Sequence, residues 1–460
     1  MADCGSSVPA AGAGNVVLMN GHGHGHLNPM IALSENLVRE GWRVHFFASH
    51  PGRAQIEGTG ATFCNYGSDD WDMFDAMKRV VGRLDVEPDM ECSKRMMSYA
   101  AVPATLDVLP HLIQRMAELR PAFVVFDAAC PWGWVVTKLM GIPAACSMTA
   151  LPMPLKALAT SSATEWNSTR VLDATVKAIR AAYGVDLDHN FSYANYARYT
   201  IMWTSRAWHT GNEEFSRDQF QYWGSLMSTR SSIGEGKAGD CVSRVLSELG
   251  DRRLVFVSLG TVATGAQYAT FGPSIEDFYR NLCVVVASMP EVQFIFALGK
   301  SVPSKLGEDG RAVELFDGLL VPANAAALDM VDQLSVLERS SAFVTHCGMN
   351  SSSEAVANRV PVVAVPFFGD QIYNATIFEE LGCGLLQRYT EGVHARQQWT
   401  ERVDHSRVTE ASLGAAVRRV LEEPQFRDAI CALRARELEE CGQPFSEKLA
   451  RLLQRVRAQP

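Results

Sequence analysis

Apolar residues in this chain alternate between short continuous runs and longer stretches in which they return every third or fourth position. Residues 15–20 (NVVLMN) form the first run, and a turn rich in Gly and His follows at once. From Pro29 to Glu40 the residues Met30, Leu33, Leu37 and Val38 recur at helical spacing. Pro29 suits the first helical position and Gly41 the stop. Residues 43–49 (RVHFFAS) read as a second buried strand, which makes a βαβ unit with parallel strands. The rhythm returns as a helix over 106–119, a strand over 122–127, a helix over 131–140 and a strand over 143–148. It is lost over 150–225, a stretch rich in Met, Trp, Tyr, Ser and Ala. That region reads as helices and long loops that either shape a pocket or form an ordinary helical insertion.

A polar, Ser- and Gly-rich stretch over 228–242 is the best linker candidate. Beyond it the alternation restarts, with strands at 254–260, 292–298, 342–346 and 360–366. Helices are expected at 275–289, 350–358, 370–381, 408–422 and 424–441, with a last one near 445–457. The implied organisation is a flexible tail over 1–14, a domain over 15–228, a linker over 229–250, a second domain over 251–441 and a terminal helix over 442–460. Both domains are expected to be doubly wound α/β sheets facing a cleft, with ligands at the carboxyl ends of the strands.

Composition narrows the function. The 460 residues are 47% hydrophobic, enough for large cores, and the net charge of −9 lacks the basic footprint of a nucleic-acid binder. An acidic protein can still hold phosphate at a helix N-terminus. The first fourteen residues do not resemble a signal peptide, and no apolar run reaches the ~18 residues of a membrane helix. Eleven cysteines without a CxxC pair fit a reduced, cytoplasmic enzyme. Asn167, Asn190 and Asn374 match the glycosylation pattern, which is set aside because no export signal accompanies it.

The segment 342–354 (AFVTHCGMNSSSE) ends a strand at His346, turns through Gly348 and opens a helix near Asn350. Backbone amides, the hydroxyls of Ser351, Ser352 and Ser353, and the positive end of the helix dipole converge there on a phosphate site. Glu354 lies one turn in, where a carboxylate accepts ribose hydroxyls; alternatively, Asn350 and the serines only cap the helix. The turn GHGHGHLNP (21–29) places His22, His24 and His26 after the leading strand. These histidines read as a catalytic base, as an alternating metal site, or as a solvated loop; no second ligand set is evident. Asp127 closes the strand AFVVFD just before a helix, as a cap or as a working carboxylate. In VSLGT (257–261), Gly260 permits close backbone approach and Thr261 offers a hydroxyl.

THCGMNSSSEA, then Val360-Pro361 and PFFGDQ, resembles the nucleotide-sugar signature of the UDP-glycosyltransferases. The resemblance implies a GT-B fold of two Rossmann-like domains. It places His346, Gly348 and the Asn350–Ser351 turn at the diphosphate, near Gly260 and Thr261, with Glu354 at the ribose and Asp370 and Gln371 at the sugar hydroxyls. Met330-Val-Asp-Gln333 stands where the family has Trp-x-Pro-Gln, so Gln333 is kept and Met330 replaces the uracil-stacking ring. The spacing from Gln333 to His346 is similar to that of the bacterial macrolide-glycosyltransferase branch. His26-Leu-Asn-Pro29 matches the family's GHxxP pattern, which makes His26 the base with His24 as backup, and Asp127 matches the carboxylate that orients it.

The activity so implied is inverting transfer of a hexose, glucose favoured, from a UDP-sugar to a hydroxyl of a small hydrophobic acceptor. No metal and no cofactor beyond the co-substrate are implied, and the assembly expected is a monomer or weak dimer. The rival readings are an inactive nucleotide-sugar-binding relative and a dinucleotide-dependent oxidoreductase, whose GxGxxG the GHGHGH turn does not reproduce.

Overall fold

The leading apolar run is β1 (Asn15–Met19), and it lies inside a seven-stranded sheet. Its companions are β2 (Arg43–Phe47), β3 (Thr62–Cys64), β4 (Phe123–Asp127), β5 (Ala144–Met148), β6 (Thr200–Met202) and β7 (Phe220–Tyr222). Their order is β3-β2-β1-β4-β5-β6-β7, and every pairing is parallel. Val16, Val17, Leu18 and Met19 are all fully buried, as a strand covered on both faces requires. The computed structural model describes residues 14–21, 23–84, 96–150, 170–187, 199–208, 215–225, 237–266, 268–367, 370–387 and 405–458. The chain divides into unit 1 (Met1–Ser205, Gly211–Ser228, Glu440–Pro460) and unit 2 (Arg206–Thr210, Thr229–Glu439).

The terminal helix Phe445–Arg457 belongs to unit 1. Leu449, Leu452, Leu453 and Val456 repeat at helical spacing and join the core that contains Val16 and Leu18. Phe445 meets Trp223 edge-on with ring centroids 6.0 Å apart, and Lys448 Nζ donates to the Trp223 carbonyl at 2.7 Å.

Unit 2 holds a nine-stranded sheet. Its strands are β8 (Arg253–Ser258), β9 (Val292–Ala297), β10 (Ser304–Leu306), β11 (Ala312–Leu315), β12 (Leu319–Leu320), β13 (Ala325–Leu328), β14 (Ala342–Thr345), β15 (Val362–Ala364) and β16 (Gly384–Leu386). The main order is β10-β11-β13-β9-β8-β14-β15-β16, and β12 pairs with β11. From β13 to β16 the pairings are parallel, while β10, β11 and β12 form an antiparallel edge.

Several expectations need correction. The first helix runs His24–Arg39, so Pro29 sits inside it and His26 lies on its first turn. Gly23, at φ 117°, makes the sharp entry, and its carbonyl accepts from the amides of His26 and Leu27 at 3.2 Å. A proline so near the start removes only one ladder bond and keeps a helical φ. The helix expected from 106 begins at Met96 and carries Pro103 and Pro110 within it. Within 150–225 the strands β6 and β7 continue the parallel sheet around the helix Arg170–Tyr183; residues 151–169, 188–198 and 209–214 lie outside the described set. Three-residue strands are too short for periodicity to reveal. The expected linker contains a helix, Lys237–Ser247, whose Cys241, Val242 and Val245 are buried. The remainder of that linker, 226–236, and the tail 1–13 are also outside the described residues. The nine described cysteines form no disulfide.

Because the terminal helix completes the unit 1 core, Leu452→Ala should lower stability by about 2–5 kcal/mol. Urea unfolding followed by tryptophan fluorescence checks this; a loss below about 1 kcal/mol would mean that the helix only rests on the surface.

Candidate active site

Unit 1 brings a histidine onto a buried carboxylate. Asp127 ends β4 and is fully buried. Its Oδ1 accepts from the Ala129 amide at 2.8 Å and lies 2.9 Å from His26 Nδ1. The Thr149 hydroxyl, just past β5, also lies 2.9 Å from Nδ1. A carboxylate oxygen only accepts, so Nδ1 carries the proton and Nε2 keeps its lone pair. The His26 side chain is 34% exposed, so the ring joins a buried anchor to a face that a substrate can reach. Around the Asp127 carboxylate, burial first, and then that negative charge, push Cys146 well above its ordinary range. Cys130 and Tyr66 are raised chiefly by burial as well.

Unit 2 brings three turns together. The helix Met349–Asn358 opens at Gly348, whose φ and ψ are extended and which has no side chain of its own to cap the helix. An uncapped helix start aims amide donors and the positive dipole end outward. His346 is clamped between two glycines: a Cβ built on Gly260 would lie 2.4 Å from the ring, and one on Gly348 would lie 2.5 Å from it. Gly260 has φ +78°, which also favours glycine. Burial pushes His346 down to about 4, so the imidazole is neutral at pH 7 and donates as a dipole, not as a cation. Cys347 takes a left-handed φ of 59°. Its amide donates to Thr345 Oγ1 at 3.2 Å and its carbonyl accepts from Asn374 Nδ2 at 2.9 Å, so that strain is held from both sides.

Glu354 and Gln333 meet directly, with Gln333 Nε2 donating to Glu354 Oε2 and, at 3.3 Å, to Ser351 Oγ. Burial raises the Glu354 carboxyl to about 7. Asp370 Oδ2 accepts from Asn374 Nδ2 at 3.1 Å. Thr261 is exposed in the turn after β8, where Thr264 Oγ1 donates to the Gly260 carbonyl at 2.7 Å.

Residues 321–438 match the family described as UDP-glucoronosyl and UDP-glucosyl transferase. The NDP-glycosyltransferase YjiC of Bacillus licheniformis is 25% identical over 385 residues, covering 80% of this chain and 84% of that protein. The oleandomycin glycosyltransferase of Streptomyces antibioticus is 23% identical, over 78% and 76% of the two chains. The crystal structure of the glycotransferase of kitacinnamycin superposes with a TM-score of 0.71 at 22% identity, covering 97% of this chain and 99% of that one. The chain is a glycosyltransferase similar to the UDP-glycosyltransferases, whose family model it matches over residues 321–438. Its fold is GT-B.

Within this glycosyltransferase the residues expected to act are gathered into three groups: His26 with Asp127; Gly260 with His346 and Gly348; and Gln333 with Ser351 and Glu354. Met330 and Asn350 are partly exposed. Gln371 is only 4% exposed, and its Oε1 accepts from the Phe367 amide at 2.8 Å. Asn374, one of the three glycosylation-pattern residues, is fully buried and braces the Cys347 turn, so it offers no acceptor to a glycan. The other two, Asn167 and Asn190, lie outside the described residues, as do His22 and the side chain of His24. Among the described residues no group of three His, Cys, Asp or Glu could hold a metal ion, and no helix is long and apolar enough to cross a membrane. Sequence reasoning missed Thr149 and Asn374. Asn374 stands one helical turn from Asp370, a spacing the sequence does offer, whereas Thr149, just past β5, gives no local signal.

Gly260→Ala should cost unit 2 about 2–4 kcal/mol, from a left-handed residue and a clash with His346 together. Urea unfolding checks this; a loss under about 1 kcal/mol would mean that the ring swings aside freely.

Proposed function

We propose that this glycosyltransferase moves a hexose, with glucose favoured, from a UDP-sugar to a hydroxyl of a small hydrophobic acceptor, inverting the anomeric centre. The contact between His26 Nδ1 and the buried Asp127 carboxylate at 2.9 Å carries the reading. His26 Nε2 takes the acceptor proton while the acceptor oxygen attacks the anomeric carbon, and the bond to the UDP oxygen breaks on the opposite face. Asp127 steadies the imidazolium as it forms, a dyad acting on a substrate hydroxyl. Charge then appears on the leaving diphosphate. The open helix start at Gly348, the neutral His346 and the Thr261 hydroxyl are the donors assigned to it.

Glu354 is assigned to the ribose, Met330 to the uracil, and Asp370 with Gln371 to the sugar. For Gln371 this assignment falls to the part of its amide other than the oxygen already engaged by Phe367. The donor set at the diphosphate supports a reaction without metal and without any cofactor beyond the co-substrate. A cytoplasmic enzyme fits the nine described cysteines, which form no disulfide, and the assembly proposed is a monomer or weak dimer. The relative named for oleandomycin supports a small hydrophobic acceptor. An acceptor-library assay with UDP-glucose, read by mass, tests donor and acceptor together, and no glycosylated product from UDP-glucose would overturn the glucose assignment.

His26→Ala should lower transfer by about 10²–10⁴ while UDP binding by calorimetry stays the same. Asp127→Asn should do nearly as much harm, and the double variant should be little worse than either. Unimpaired transfer by His26→Ala would refute the base assignment.

UDP binding should also depend on pH. The folded-state value of Glu354 lies above the ordinary carboxyl value, so ionising it costs stability. Unit 2 should lose stability as pH rises from the usual carboxyl range through about 7, and then level off. A ribose hydroxyl donating to Glu354 favours the carboxylate, so UDP affinity should rise with pH through about 7, by at most about tenfold per pH unit. Calorimetry on the native protein and Glu354→Gln, across about pH 5.5–8.5, subtracts the titration of the UDP phosphate itself. Parallel curves for the two proteins would place the ribose elsewhere.

A further inference from the structure

We infer that Thr149 is a positioning residue for His26: its hydroxyl shares the Nδ1 proton with Asp127 and so fixes the ring and raises its basicity. The inference rests on the reading of His26 as the base. Three observations support it. Thr149 Oγ1 and Asp127 Oδ1 stand at the same distance from Nδ1, 2.9 Å each. Thr149 is 7% exposed and Asp127 is fully buried, so both partners come from the rigid sheet side of the ring. They leave the ends of neighbouring parallel strands, with Asp127 in register with Ser147 and Thr149 two residues further on.

A ring held through one contact can still pivot about the line to that partner. A second partner on the same nitrogen, reached from the next strand, removes that freedom and sets the direction of Nε2. Electrostatics favours the same assignment. A hydroxyl near Nδ1 can in principle donate to it, which would put the proton on Nε2 and disable the base. A hydrogen bond to a carboxylate is the stronger one, so Asp127 holds the proton on Nδ1 and the Thr149 oxygen is left to accept. When the acceptor proton arrives at Nε2, the ring becomes a cation and its Nδ1–H faces two acceptors instead of one. The groups around Asp127 do not alter this balance: Tyr66, Cys130 and Cys146 are kept protonated by burial.

The test compares Thr149→Val, which keeps the shape and deletes the oxygen, with Thr149→Ser, which keeps the oxygen. His26→Ala serves as the control. For Thr149→Val we expect kcat to fall about tenfold, the rate equivalent of one hydrogen bond to an ionised ring. The acid limb of the kcat/KM profile should move to lower pH by about half to one pH unit, because an acceptor that stabilised the protonated ring is gone. Thr149→Ser should restore both. A limb that stays in place, an effect confined to donor KM, or a gain in kcat would each overturn the inference. If His26→Ala itself transfers normally, the base reading fails; if His26→Ala is dead while Thr149→Val keeps its limb, only the role of Thr149 fails. Thermal unfolding of Thr149→Val separates these results from a folding defect, and Thr149→Ala provides a second oxygen-free side chain should valine not fold.

Discussion

A carboxylate withdrawn wholly from water is costly unless its partners answer it, and Asp127 is placed at the end of a central strand where the sheet cannot let it out. One oxygen is met by an amide and an imidazole. The other, Oδ2, is buried and has no hydrogen-bond partner among the described residues. Much of unit 1 can be understood as the means of keeping that arrangement. Gly23 turns the chain sharply so that the first helical turn carries His26 back over the strand end, and parallel strands deliver Asp127 and Thr149 side by side. The incompletely answered carboxylate also favours a positive charge on the ring above it.

Unit 2 solves a different electrostatic problem. Its turns collect donors rather than a charge. A helix without a side-chain cap, an imidazole held neutral by burial and glycines that admit it closely form a preorganised site with little to rearrange. The site is specific about backbone: the left-handed Cys347 is tolerated because Thr345 and Asn374 grip its amide and carbonyl.

How much of this was legible beforehand depended on the range of the signal. Long apolar runs and amphipathic helices such as Pro131–Met140 and Pro424–Cys441 were read correctly because their periodicity is local. The strands β6, β7 and the β10–β12 edge were not, since two to four residues carry no period and their pairing is decided by distant neighbours. Pro29 misled for a physical reason: a proline near a helix start fits several positions, and the entry was set by Gly23 instead. In the site, motif residues were legible one at a time. What spacing could not show was contact across the fold, such as the meeting of Gln333 with Glu354 or the part of Gln371 taken up by its own loop. Thr149 was invisible because a threonine after a strand is ordinary until the next strand is known.

The return of the last helix to unit 1 sets an order of events during biosynthesis. All of unit 2 is synthesised before Leu449, Leu452, Leu453 and Val456 exist, so the nascent unit that bears His26 waits, short of part of its core, until the whole of unit 2 has been made. A message broken off near residue 440 would therefore damage the half of the protein most distant along the chain from the break. The unit made first is the one finished last, and it spends translation with an apolar face open to chaperones and proteases.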